Sequence, residues 1–373
     1  MPSQPPLPPL LASYVSNLPD SSLTLVSSIL GATSNWLVLR FLHAALSSPI
    51  PNAAFGSDEL NNGIKKKVVL VSFMRSYEFW RTEAKRLGLD LTRLADKQQF
   101  AFIDGLSELF YAPEATATAT PSISPVGLGS NPRTTLPMRS APGIVPGRSP
   151  HPAVSTASGA KGNVTPKQAE PGIAKKLHFS GRGLASLDAL EKDILSVIEQ
   201  QKSTMEAGDE LLLIIDQPDL LLAATGPSMG IGATEMSEWI TALQQVRPYH
   251  FLIGKNKVYG RADYYVRQHA HATVLTLATD APLIHNASIS GGQWATPIET
   301  EHAALVIGLA HRARSVMQLR TLDTGAAKDV SGVLRISRGG GLNTGEEETL
   351  EEREALYFIQ RDGGVKVFGR GES

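Results

Sequence analysis

Residues 23–42 read LTLVSSILGATSNWLVLRFL. An apolar, β-branched run, Leu23 to Leu30, reaches Gly31, and a helix-compatible run begins near Ser34. Strand, glycine turn and helix form the frame in which a phosphate-binding loop sits. Such a loop needs a glycine, four residues, then Gly-Lys-Ser/Thr. Its backbone amides cradle phosphate oxygens, its lysine neutralises their charge and its hydroxyl holds magnesium. After Gly31 this chain supplies Ala-Thr-Ser-Asn, then Trp36 for the second glycine, Leu37 for the lysine and Val38 for the hydroxyl. An indole crowds the cradle and nothing replaces the cation. Leu37, Leu39 and Leu42 read as core, and triphosphate binding in the usual manner is not expected. The Gly254-Lys255 pair does not rescue it, lacking an earlier glycine and preceding Asn256.

Outward from that stretch, strand and helix signals alternate. KKVVLVSF (66–73) reads as a buried strand. In the following MRSYEFWRTEAKRLGLDL, Ser76 can cap a helix and Gly88 can end it. Tyr77, Trp80, Ala84 and Leu87 share one helical face, so this helix packs on a sheet. QFAFIDGL is a short strand ending at Asp104-Gly105. From 184, Leu187, Leu190, Ile194 and Ile198 form a helical stripe, and ELLLIIDQPDLL is a strand of the kind buried on both faces of a parallel sheet. ATEMSEWITALQQV reads as helix, HATVLTLAT as strand and AALVIGLAHR as either. SVMQLRTLDTGAAKDVSGVLRISRG and ALYFIQRDGGVKVF read as antiparallel hairpins, the second turning at Asp362-Gly363. The expected fold is α/β, a mostly parallel sheet with helices on both faces, finished by C-terminal antiparallel hairpins.

The expected domain plan follows from composition. Residues 1–20 are a disordered proline-rich start and 21–110 the first part of the domain. Residues 111–175, rich in Pro, Ala, Ser and Thr and without apolar periodicity, are a disordered insertion. Residues 176–369 complete the domain. The basic residues of the insertion suit a solvated linker or a basic recruitment arm.

With 373 residues and a net charge of -1, the chain can bury a large core and presents no bulk electrostatic case for binding nucleic acid or membrane by itself. It has no cysteine, hence no disulfide or thiolate metal site. The start lacks the basic residues of a signal peptide, and no apolar run approaches a membrane helix. A soluble protein of the cytoplasm, with the nucleus as a second compartment, is expected.

Five further constellations invite chemistry. Asp216, ending LLLIID, suits a magnesium-positioning carboxylate or a cap on the turn before Pro218. Gly226-Pro-Ser228-Met-Gly230 matches a nucleophile elbow, with His285, His302 or His311 as bases. Its strand ends some ten residues early, however, so a loop is the plainer reading. His269 and His271 could put two imidazoles on one side of a strand, but no carboxylate completes a metal set, and Gly181-Arg-Gly183 lacks the third glycine of a dinucleotide fingerprint. Arg335 and Arg338, late in VLRISRG, could reach a neighbouring subunit or a phosphate backbone, or could be exposed charges that keep an edge strand from aggregating.

Taken in order, these segments resemble the family of Elongator complex subunit six. The resemblance is carried by the strand–Gly31–SNWLVLRFL opening and by VVLVSFMRSYEFWRTEAKRLGLDL with Phe73, Ser76, Phe79 and Trp80. FAFIDGLSELF, LLLIIDQPDLLLAATG and RSVMQLRTLDTGAAKDVSGVLRISRG complete the series. The most specific parts are SF-x-x-S-x-x-FW and the turn Asp329-Val330-Ser331-Gly332. The resemblance implies a RecA-like ATPase fold without the nucleotide-binding lysine, with no catalytic residue, cofactor or metal. It implies a hetero-hexameric ring with Elongator subunits four and five, docked on the catalytic subcomplex that modifies wobble uridines of tRNA at carbon five. It further implies that the ring contacts tRNA, with ATP modulating release. Arg335, Arg338, Asp329 and Ser331 are the candidate subunit or RNA contacts. Two stretches depart from the family: the long insertion, and residues 247–266, which interrupt the passage from helix into HATVLTLAT. An active NTPase with an unorthodox site is the alternative, and a serine hydrolase using Ser228 the third.

Overall fold

The apolar runs assemble as their lack of alternation requires, into strands covered on both sides. In the computed structural model the described residues are 7–47, 65–111, 172–245, 269–284, 295–322, 325, 327–341 and 350–369. Strand β1 (Ser22–Ser28) is buried along its whole length and pairs in parallel with β6 (Ala272–Ala278) and β7 (Ser315–Arg320). Beyond β6 come β5 (Glu210–Asp216), β2 (Lys66–Ser72), β3 (Phe100–Asp104) and the short β4 (Ile173–Lys176), all parallel. Beyond β7 the sheet turns antiparallel through β8 (Gly332–Arg338), β9 (Arg353–Ile359) and β10 (Val365–Phe368). The order is β10-β9-β8-β7-β1-β6-β5-β2-β3-β4. This is the expected mostly parallel sheet with hairpins at its C-terminal end. All seven parallel strands present their carboxyl ends on one rim, where ligands of such sheets bind.

Successive residues of each central strand face opposite layers. Val68, Leu70, Leu212, Ile214 and Val274 join one core with helices α1 (Pro9–Val15), α2 (Asn35–Leu46), α3 (Tyr77–Arg86) and α4 (Leu91–Asp96). Val69, Val71, Leu213, Ile215 and Leu275 join the other with α5 (Leu184–Lys202), α6 (Asp219–Thr225), α7 (Ala233–Gln244) and α9 (Pro297–Arg312); a four-residue helix, α8 (Ala281–Ile284), precedes α9. The hairpin strands contribute Leu334, Ile336 and Tyr357 to the first core alone.

The helix ends follow their side chains. Ser76 accepts a hydrogen bond from the Phe79 amide at the start of α3, and Gly88 (φ +80°) ends that segment in a backbone conformation that favours glycine. Thr296 and Glu299 close a reciprocal capping box on α9, with Pro297 at its first position, resolving AALVIGLAHR as helix.

Three expectations are corrected. The start is not disordered throughout 1–20: Pro9–Val15 form α1, and Leu11, Tyr14 and Val15 are buried in the first core. Proline at the first helical position costs no hydrogen bond, so a proline-rich stretch can still seed a helix. Residues 173–175, assigned to the insertion, belong to β4. Finally, β8 is no edge strand, since β9 and β10 lie outside it. The rest of the 111–175 insertion, apart from Tyr111 and Gly172, lies outside the described residues, as do residues 247–266.

Candidate functional site

The opening turn is closed by its own groups. Ile29 and Ala32 form an isolated antiparallel bridge, the Ala32 amide donating to the Ile29 carbonyl at 2.9 Å, with Gly31 at φ +90°. The Leu30 amide donates to Asp280 Oδ1 at 2.8 Å. Two amides of the turn are therefore spent on protein acceptors, one of them a carboxylate that repels a phosphate. Ser34 precedes α2 without a side-chain cap.

The three positions of the missing motif are core. Trp36 is 6% exposed, and Leu37 and Val38 are fully buried. Leu39 and Leu42 are buried with them, as expected. The Trp36 indole packs on the Tyr357 ring of β9, centroids 4.8 Å apart and tilted by 32°. Burial pushes the Tyr357 phenol up to about 12, the Trp36 indole partly offsetting it.

Asp216, at the carboxyl end of β5, is 1% exposed between the ends of β2 and β6. Its Oδ2 accepts from Ser72 Oγ at 2.7 Å and its Oδ1 from Thr276 Oγ1 at 2.8 Å. Each hydroxyl also accepts a backbone amide, Ser72 from Arg75 and Thr276 from Gln217, both at 3.0 Å. Burial raises the Asp216 pKa, and the two hydroxyls and Arg75 partly offset that. The turn before Pro218, where Gln217 adopts φ +51°, is held by Thr276 and not by Asp216 itself. Asp216 thus laces three strand ends together. Beside it, buried Asp219 accepts from the Ala278 amide at 3.1 Å and meets His302 Nε2 at 3.3 Å.

The other sequence candidates are dispersed. Ser228 sits on an exposed 3-10 turn (Pro227–Met229) after helix α6, donating to the Thr225 carbonyl at 3.2 Å. The elbow would need a strand entering the serine, and here a helix does. His302 is engaged with Asp219, His311 is exposed, and His285 lies outside the described residues. His271 faces Asp20 (3.2 Å) and the Leu18 carbonyl (3.0 Å), while burial and Lys202 lower the His269 pKa. Among the described residues no group of three or more His, Asp or Glu side chains could hold a metal, and no helix is long and apolar enough to cross a membrane.

Arg335 is exposed on β8, opposite Glu354 and Gln318 in register. The exposed Arg338 donates to the Leu350 carbonyl, and its amide to Glu352. Asp329 occupies an exposed turn closed by the Ala327–Val330 bridge. Ser331 is a structural link: its hydroxyl accepts from the Ile359 amide at 2.9 Å and its amide donates to the Tyr357 carbonyl. Sequence reasoning missed Ser72, Thr276 and Asp280. The signal available for the first was a polar residue closing a buried strand inside SF-x-x-S-x-x-FW.

No family model matches this sequence, and no curated protein matches it. Among solved structures, a KaiC-like protein from the hyperthermophilic archaeon Pyrococcus horikoshii OT3 aligns over 98% of each chain, with a TM-score of 0.46 and 9% identity.

Proposed function

We propose that this chain is a non-catalytic, RecA-like subunit of Elongator, acting by assembly with subunits four and five in a hetero-hexameric ring that supports wobble-uridine modification of tRNA. One observation carries the non-catalytic part. The strand–turn–helix frame is retained, yet its motif positions, Trp36 to Val38, are built into the core, and the turn's amides serve Ile29 and Asp280. A chain with that arrangement has no phosphate cradle of the usual kind to offer.

The assembly part rests on the ordered sequence resemblance. A near-neutral net charge is no objection, because a few surface arginines summed over six subunits suffice for RNA contact. Arg335 and Arg338 are exposed and suit that role, with Asp329 on the same connection. Such a subunit works in the cytoplasm, with the nucleus as a second compartment, where tRNA is handled.

Native mass spectrometry of the chain co-expressed with subunits four and five tests the reading. A six-membered species with two copies of each is expected. A chain that stays monomeric beside its assembled sisters overturns the assembly part, and ATP turnover by the isolated chain at an ordinary enzymatic rate overturns the non-catalytic part.

A further inference from the structure

Beside the degenerate turn lies a groove of about 270 Å³, between the first turn of α2, helix α3 and the β9–β10 turn. Its size is just under that of small-ligand clefts, which start at roughly 300 Å³, so only a small ligand fits. Leu39, Phe79, Leu87 and Ile359 supply apolar wall, and Thr33 and Asn35 a polar end at the start of α2.

Arg40 also lines this groove and is 2% exposed. Its Nη2 donates to the Gly363 carbonyl at 2.9 Å, which holds the guanidinium at the Gly363 wall, while its Nε has no acceptor among the described residues. None of the described carboxylates pairs with it. Burial lowers its pKa; burial first, and the Arg40 charge second, lower that of His43, one turn along α2, whose buried Nε2 has no hydrogen-bond partner among the described residues. A buried cation is normally matched by an anion.

The surroundings favour negative charge. The N-terminal end of α2 adds its partial positive charge. Arg75 lies 5.1 Å above the Phe79 ring and donates to Asn35 Oδ1 at 3.3 Å, placing a second cation at the same end. The acid on the wall, Glu83, is paired with Arg86 at 3.0 Å.

We propose that this groove binds a small organic oxyanion, a carboxylate or phosphate monoester on an apolar body, with Arg40 as its counter-ion. Anion recognition has in this view moved from the backbone amides of the turn to a side chain one helical turn further on. The proposal does not depend on ring assembly.

Calorimetric titration of the full chain with phenyl phosphate, benzoate, inorganic phosphate and, at matched ionic strength, sodium chloride tests it. Saturable binding of phenyl phosphate or benzoate is expected, and whichever binds more tightly identifies the head group. Binding falls by at least about tenfold in Arg40→Met, the scale of a lost charge-assisted pair. Ile359→Trp, on an already partly exposed wall, blocks the apolar end and weakens the organic anions while sparing the fold. Glu83→Gln tightens them. No saturable binding of either organic anion, or equal binding by a folded Arg40→Met, overturns the proposal. If Arg40→Met does not fold, unchanged binding in Ile359→Trp does so instead.

Discussion

Restoring the missing lysine, Leu37→Lys, separates two accounts of the turn. If the chain has merely lost a cation from an otherwise intact cradle, the substitution returns nucleotide binding at little cost. If position 37 is structural, the substitution damages the core. Leu37 is fully buried in the layer shared by α2 and the sheet, among Val26, Val38 and Leu42 of the same cluster. Losing a buried leucine side chain costs about 2–5 kcal/mol. Lysine keeps part of the aliphatic volume but brings an ammonium that must be desolvated or must pull its helix open. A net loss of about 3–5 kcal/mol follows, a large share of the ~5–15 kcal/mol that holds a folded protein together.

At roughly 2–4 °C per kcal/mol for a domain of this size, the melting temperature falls by about 10 °C. Far-UV circular dichroism on wild type, Leu37→Lys and the volume-conserving Leu37→Met reads it directly. The methionine variant loses less than ~1.5 kcal/mol. Magnesium–ATP is then added. A restored site saturated at a hundredfold excess over its dissociation constant would return about 2.7 kcal/mol, and no such recovery is expected. A Leu37→Lys protein that melts within about 2 °C of wild type and gains several degrees with ATP would falsify the account of this turn as core.

Three other outcomes follow from the site. Because burial raises the Asp216 pKa, its proton is held more tightly folded than unfolded; the stability it lends is complete below the ordinary carboxylate range and is lost as pH rises through the raised value. Urea titrations from pH 4 to 7 should therefore show wild type losing stability relative to Asp216→Asn as pH rises, and parallel curves would remove the burial argument. A methyl group at Gly332 would lie 2.5 Å from the Arg320 carbonyl oxygen and 2.6 Å from the Tyr357 hydroxyl. Gly332→Ala should accordingly cost about 1–3 kcal/mol in chemical denaturation, and a neutral result would mean that the β7–β8 hairpin yields more easily than its packing suggests. Ser228→Ala, on an exposed turn, should change stability by no more than ~0.5 kcal/mol, and wild-type Ser228 should resist a fluorophosphonate probe that labels a control hydrolase.

What the sequence discloses depends on how local the cause is. The strands at 22–28, 66–72, 210–216 and 272–278 are legible because each is a short apolar run between turn residues, and the last hairpin because Asp362-Gly363 marks its turn. Helix α1 is masked by prolines around the stripe of Leu11, Tyr14 and Val15. The setting of Arg335 is hidden because what lies outside β8 is decided by how the final hairpin docks, not by the residues of β8. In the site, the absent lysine is a fact of spacing and can be read at once. The partners of Asp216 cannot, since Ser72 and Thr276 are 144 and 60 residues away and meet it only through strand register.

The same residues explain how the frame is held together without its lysine. Trp36, in the place of a cradle glycine, braces the antiparallel extension through Tyr357, and Arg40, one turn later, holds the β9–β10 turn through Gly363. Helix α2 is thereby committed to the C-terminal strands through both side chains. Reopening a cradle needs glycine at 36, which removes a buried aromatic worth about 3–5 kcal/mol and adds roughly 1 kcal/mol for glycine within the helix. The cation, the cradle and the attachment of the final hairpin are therefore coupled, and no single substitution recovers the first without weakening the last.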